Sequence, residues 1–199
     1  MPSSSVYPDC STLADVLQQV AERHPDRSAL VDRGRTFAFA ELERDVEALA
    51  ADLHGHGGQP GAACALLMDN IYEHVVAWFA VQRAGLVLVP VNATLAPPEV
   101  AHQIADAQAR LVIVSPALAG KLTPTAGVKN AVDEIVVLDS WQQDAVTSMS
   151  TFLADVTTVR RVDLSSLPSR HHRATVSRTD PAVIWYTSGT TGHPKGWRG

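Results

Sequence analysis

Ala63-Cys64-Ala65-Leu66-Leu67, then the run from Tyr72 to Ala84, then Val87-Leu88-Val89 form the stretch that decides the fold. The first run is apolar without alternation, the pattern of a strand buried on both faces. The second reads as a helix and the third as another short strand. Working outward toward the carboxyl end, Pro98 to Ala107 reads as a helix, Leu111 to Val114 as a strand and Ile135 to Leu138 as the next strand. Short β-rich runs separated by helical patterns predict βαβ crossovers, hence an α/β fold with a mostly parallel, doubly wound sheet and helices on both faces.

Toward the amino end, Thr12 and Asp15 have the spacing of a capping box, and Leu13, Val16, Leu17 and Val20 follow at helical intervals until Pro25. Ser28 to Val31 and Thr36 to Phe39 read as a hairpin around Arg33-Gly34. Leu42, Val46, Leu49 and Leu53 predict a second amphipathic helix, ended by His54-Gly55-His56-Gly57-Gly58. Thr157 to Thr179 reads as a connecting loop. It holds Arg160, Arg161, Arg170, Arg173 and Arg178 against one acid, Asp163. Ala182 to Thr187 is the last predicted strand.

Composition bounds the function. The chain has 199 residues, 46% hydrophobic and 19% charged, in the globular range, and its net charge of −5 gives no basic footprint for nucleic acid. The runs Ala62 to Met68 and Val75 to Val81 are far shorter than the ~20 residues a membrane span needs. Cys10 and Cys64 make neither a metal spacing nor a disulfide framework. The start Met-Pro-Ser-Ser-Ser carries no basic-then-apolar leader, so a reduced cytoplasmic setting is expected.

The stretch with chemical content is Tyr186-Thr187-Ser188-Gly189-Thr190-Thr191-Gly192-His193-Pro194-Lys195-Gly196. Gly189, Gly192 and Gly196 permit close backbone approach, and exposed N–H groups in such a turn form an anion-binding concavity. Ser188, Thr190 and Thr191 add hydroxyl donors, and Lys195 adds a positive charge. A strand feeding a donor-rich glycine loop with one lysine is suited to holding phosphate. It is not a Walker A loop, because Lys195 is followed by Gly196 rather than Ser or Thr. It also contains no G-x-G-x-x-G.

This stretch resembles the phosphate loop of the adenylate-forming (AMP-binding, acyl-activating) superfamily, which contains acyl- and aryl-CoA synthetases, luciferases and peptide-synthetase adenylation domains. Upstream, Thr36-Phe37-Ala38-Phe39-Ala40-Glu41-Leu42 is similar to that family's Thr-Tyr-x-Glu-Leu stretch. Asp69-Asn70 resembles its strand-end asparagine, and Ala77 to Gly85 followed by Val89-Pro90-Val91-Asn92 resembles its helix-then-strand signature. The lean is toward acyl- or aryl-CoA synthetases. The resemblance implies a chain, residues 1–199, that is the N-terminal part of an AMP-binding domain. It further implies ATP with Mg2+, a carboxylic acid and coenzyme A as the full-length family's reactants. Thr187, Ser188, Gly189, Thr190, Thr191, Gly192 and Lys195 become the ATP-phosphate contacts. No catalytic or metal residue carries over, since the family places those roles downstream.

Two departures accompany the resemblance. Pro60-Gly61-Ala62-Ala63 stands where the family has Gly-Asp-x-Val, so a loop acid is missing. After Gly196 the family continues with a Val-led apolar strand, whereas here Trp197-Arg198-Gly199 follow. Loss of one nucleotide, giving GGG-TGG-CGG, produces Gly-Trp-Arg, so the expectation is a truncated copy, inactive alone, with self-association through uncovered sheet edges. The alternatives are a non-catalytic remnant and a stand-alone nucleotide- or partner-binding module.

Other conspicuous residues have ordinary readings. His54 and His56 lack a third metal ligand. His171-His172 with the five arginines reads as a solvated loop, or less readily as a patch concentrating ATP. Trp78 and Phe79 read as core, Asp69 and Glu73 as non-catalytic, and Asn70 and Asn92 as turn or cap residues. His193 reads as exposed.

Overall fold

A computed structural model describes residues 12–56, 58–122, 131–139, 158–187 and 195–198. Helix α1 (Leu13–Arg23) starts at the anticipated capping box. The Thr12 hydroxyl accepts from the Asp15 N–H at 3.2 Å, and the Asp15 carboxylate accepts from the Thr12 N–H at 2.9 Å. Strands β1 (Ser28–Asp32) and β2 (Arg35–Ala38) form the hairpin. Its turn residues Arg33 and Gly34 both have positive φ, 48° and 78°, as a two-residue turn matched to strand twist requires.

The chain then alternates as predicted. Helix α2 (Phe39–Gly55) leads to β3 (Ala63–Leu67), α3 (Tyr72–Arg83), β4 (Val87–Pro90), α4 (Pro97–Asp106), β5 (Leu111–Val114) and β6 (Glu134–Asp139). Strands β3 to β6 and β7 (Val159–Asp163) make a five-stranded, fully parallel sheet in the order β4-β3-β5-β6-β7. The strand residues sort by parity. Cys64, Leu66, Leu88, Ile113, Val136 and Leu138 share one core with Leu49, Leu53, Val76 and Ala80 of α2 and α3. Ala65, Leu67, Val89, Val112, Val114 and Val137 share the other with Val100 and Ile104 of α4. The sheet is therefore covered on both faces, which is why its strands read as continuous apolar runs.

Strand β7 corrects the sequence reading, which assigned Thr157 to Thr179 to a loop. Val159–Asp163 pairs in parallel with Ile135–Asp139 at the edge of the sheet. The strand has a pattern an edge tolerates. Val162 is buried in the core, Arg161 is exposed, and Arg160 reaches two acids distant in sequence. A one-turn 3-10 helix, Leu164–Ser166, follows, and irregular chain runs from Leu167 to Ala182.

The last two strands, β8 (Ile184–Thr187) and β9 (Lys195–Arg198), form an antiparallel hairpin. Its entry docks on the sheet: Leu88 N–H donates to the Ala182 carbonyl at 2.9 Å, and Val183 bridges Leu88 in parallel. Trp197 and Arg198 thus occupy strand backbone despite lacking the apolar pattern expected there. Pairing in a hairpin is made by main-chain groups that any non-proline residue supplies.

Candidate functional site

Strand β8 enters alongside β4 and in the same direction, so it carries the chain toward the carboxyl ends of the parallel strands. Open α/β sheets bind ligands at that end, beside a point where strand order reverses. Here β3 has β4 on one side and β5 on the other, so the reversal lies one strand away from β8.

The hairpin register pairs Thr187 with Lys195 and Tyr186 with Gly196. Two of the anticipated phosphate contacts, Thr187 and Lys195, are therefore cross-strand neighbours at the base of the loop that joins β8 to β9. Ser188, Gly189, Thr190, Thr191 and Gly192, together with His193, lie outside the described residues.

Two aromatic contacts clamp β8 from opposite faces. Trp185 packs on Trp78 of α3 with ring centroids 5.7 Å apart, and Trp78 stacks on His74 at 6.1 Å. On the other face the Tyr186 hydroxyl donates to Asp106 of α4 at 2.7 Å. Sequence reading placed Trp78 and Phe79 in the core. Both are half-buried and pack against it, because Trp78 also covers β8. Trp185 lies 107 positions from Trp78, so no local pattern joins them.

Burial pushes the His74 imidazole below its ordinary value, although the Met68 carbonyl at 3.4 Å pulls the other way. The folded form therefore prefers the neutral ring. Above the ordinary histidine value both states are neutral and the full stability is present. As pH falls through that value the unfolded chain takes up protons first and stability is lost, until the folded form protonates as well. His74→Gln is expected to flatten this acid-side loss. Melting temperatures of wild type and variant from pH 7.5 to 5 measure it, and parallel curves would refute the assignment.

The remaining sequence candidates resolve into structural roles. The Asn92 carboxamide accepts from the Thr94 N–H and hydroxyl, each at 2.9 Å, which is the turn role anticipated for it. Asp69 and Asn70 are exposed, and Glu73 is buried at the start of α3, where burial raises its pKa. His54 stacks on His172 at 3.8 Å, and no group of three or more His, Cys, Asp or Glu among the described residues is placed to hold a metal.

The basic segment is not simply a solvated loop. Arg160 contacts Asp52 at 2.6 Å and Glu134 at 2.8 Å, Arg173 contacts Asp15 at 2.5 Å, and His171 contacts Glu47 at 2.9 Å. The partners come from α1, α2 and β6, so these side chains hold β7 and the connection against the two helices and the neighbouring strand. Among the described residues no helix is long and apolar enough to cross a membrane.

With this geometry in place the relationships are informative. The AMP-binding enzyme family matches residues 17–197, and the chain belongs to it. It is 29% identical over 202 residues to a long-chain-fatty-acid–CoA ligase of Yersinia pestis, covering 94% of this chain and 36% of that protein. It is 30% identical over 190 residues to tyrocidine synthase 1 of Brevibacillus parabrevis, covering 96% of this chain and 15% of that protein. Among solved structures, an anthranilate CoA ligase, AuaEII, in complex with anthranoyl-AMP is similar with a TM-score of 0.70 and 25% identity. That match covers 93% of this chain and 34% of the ligase. The sheet thus matches the N-terminal domain of adenylate-forming enzymes, and the chain spans about a third of the length of the CoA ligases it matches.

Proposed function

We propose that this chain supplies the ATP-phosphate-holding, N-terminal part of an AMP-forming acid–thiol ligase. The full reaction is attack of a carboxylate oxygen on the α-phosphorus of ATP, giving acyl-adenylate and pyrophosphate. A thiol such as coenzyme A then takes the acyl group and AMP leaves. The observation that carries the reading is the Thr187–Lys195 register at the base of the β8–β9 loop, on the ligand-binding side of a parallel sheet. Ser188, Gly189, Thr190, Thr191 and Gly192 would offer hydroxyl and backbone donors to phosphate oxygens. Lys195 would offer its ammonium where charge accumulates on departing pyrophosphate. Mg2+ accompanies ATP in such reactions, but no described residue is assigned to it and no step here depends on it.

Lys195→Ala is expected to weaken MgATP binding by about 1–3 kcal/mol, roughly 5- to 150-fold, the range for a charge-assisted contact. Calorimetric titration of wild type and variant measures it. Equal affinities would overturn the reading, as would no binding by either chain. The 199-residue chain alone is expected to give no acid-dependent pyrophosphate exchange, because it spans about a third of the ligases it matches. Clear exchange with any of a panel of carboxylic acids would refute that part.

A further inference from the structure

Between Leu167, which packs on the core, and Ala174, whose N–H donates to the Arg83 carbonyl at 3.1 Å, the connection runs along α2. Residues 168–172 make no main-chain hydrogen bond among the described residues. Side chains hold them instead, and both contacts are to α2. His171 Nδ1 meets the Glu47 carboxylate at 2.9 Å, and the His172 ring stacks on His54 at 3.8 Å with an interplanar angle of 15°. Arg173, paired with Asp15 at 2.5 Å, fixes the far end on α1. Under the segment lies a cleft of about 220 Å3 lined by Gln18 of α1, Glu47 of α2, Arg83 of α3 and His171-His172-Arg173.

A proton acts differently on the two contacts. The His171 side chain is 88% exposed, so water screens its pair with Glu47 and the pair contributes little. His172 is half-buried, and its Nε2 is sealed from water with no partner among the described residues. A proton on that atom makes a charged donor that has neither water nor an acceptor. The acids on the surrounding elements are already engaged: Glu43 and Glu47 of α2 with Arg83 of α3, Asp15 of α1 with Arg173, and Asp52 of α2 with Arg160 of β7 and His56. His54 stands exposed in the last turn of α2, where a proton stays hydrated. With both rings charged, two cations would face each other across 3.8 Å.

We propose that the His54–His172 stack is an acid-released latch: uptake of one proton by His172 breaks the stack, frees residues 168–172 from α2 and opens the cleft over Arg83. Burial first, and His54 next, hold the His172 imidazole below its ordinary value. Above the ordinary histidine value the ring is neutral in both forms and the stack is at full strength. As pH falls through that value the released form takes up its proton first, and the latch weakens. The anchors on either side, Leu167 in the core and Arg173 on Asp15, do not depend on this proton, so the movement is confined to the five residues between them. The latch is independent of ATP binding.

NMR of the full chain from pH 7.5 to 5 tests it, in a His74→Gln background that removes the other histidine held below its ordinary value. Cross-relaxation between the His54 and His172 rings is expected to disappear as His172 takes up its proton, at lower pH than in a free peptide of residues 166–176. Backbone order in residues 168–172, read by 15N relaxation, should fall in the same step while the amide shifts of β3 and β5 stay native. His172→Phe keeps a stacking ring without the titration and is expected to hold the segment ordered down to pH 5. His171→Gln is expected to leave the transition in place. A ring contact that survives at pH 5, a transition unchanged in His172→Phe, or one abolished by His171→Gln overturns the proposal. Order lost only together with β3 and β5 also overturns it, because the event would then be unfolding of the whole chain.

Discussion

Arg83→Ala is expected to destabilise the fold by about 3–5 kcal/mol, the cost of removing one partner of a buried ion pair. Arg83 is 6% exposed at the end of α3. Its guanidinium forks onto Glu43 of α2 at 2.5 and 3.0 Å and donates to the Ala14 carbonyl of α1 at 2.9 Å. Its own carbonyl accepts from Ala174 N–H of the connection at 3.1 Å. One side chain thus joins three helices. Burial raises the Glu43 pKa even with Arg83 in place, so without the arginine the carboxylate is left desolvated and unpaired.

The sign of the pH dependence follows. A carboxyl whose folded pKa is raised gains protons on folding, so lowering the pH toward the carboxylate range favours the native form. The deficit of Arg83→Ala is therefore expected to shrink as pH falls from neutral. Arg83→Met combined with Glu43→Leu is expected to recover most of the loss, since an apolar pair of similar volume avoids both desolvation costs. Urea unfolding at two pH values measures all three. A loss below about 1 kcal/mol for Arg83→Ala would show that the pair contributes no more than a surface contact.

The parts of this fold that were readable in sequence are those specified by neighbours in the chain. The Thr12–Asp15 box spans four residues, and the Arg33-Gly34 turn is two. The strands β3 and β5 are unbroken apolar runs because both of their faces are covered. The phosphate loop proposed for residues 187–195 was read from sequence on the same kind of signal, since its glycines, hydroxyls and lysine are contiguous. What was not legible depends on partners far away. Val159–Asp163 has three charged residues in five and no hydrophobic alternation, and only the edge of β6 makes it a strand. The basic segment counted one acid within itself. The acids that pair with it, Asp15, Glu47, Asp52 and Glu134, are distributed over α1, α2 and β6. Trp185 reads as an ordinary strand aromatic until α3 places Trp78 beneath it.

The clearest test of that non-local pairing is Arg160→Met, expected to cost about 2–4 kcal/mol. Arg160 bridges α2 and β6 from the edge strand: Nη1 meets Asp52 at 2.6 Å and Nε meets Glu134 at 2.8 Å. The three side chains are 19%, 12% and 14% exposed, so the pairs are mostly shielded from water, though less so than Arg83. Burial alone would lower the guanidinium pKa, but Glu134 and Asp52 more than offset it and the net shift is upward. Removing the cation leaves two carboxylates against α2 and β6 and takes from β7 a side-chain anchor that supplements its main-chain ladder and buried Val162. The loss is therefore expected to be local first. Amide exchange in Val159–Asp163 should accelerate well before that in β3 or β5, whose side chains are buried on both faces. Arg170→Met, on the exposed connection beyond the same strand, is expected to change stability by less than about 0.5 kcal/mol. Equal effects at the two positions, or exchange rising uniformly across the sheet, would mean that the ion pairs do not hold β7 in place.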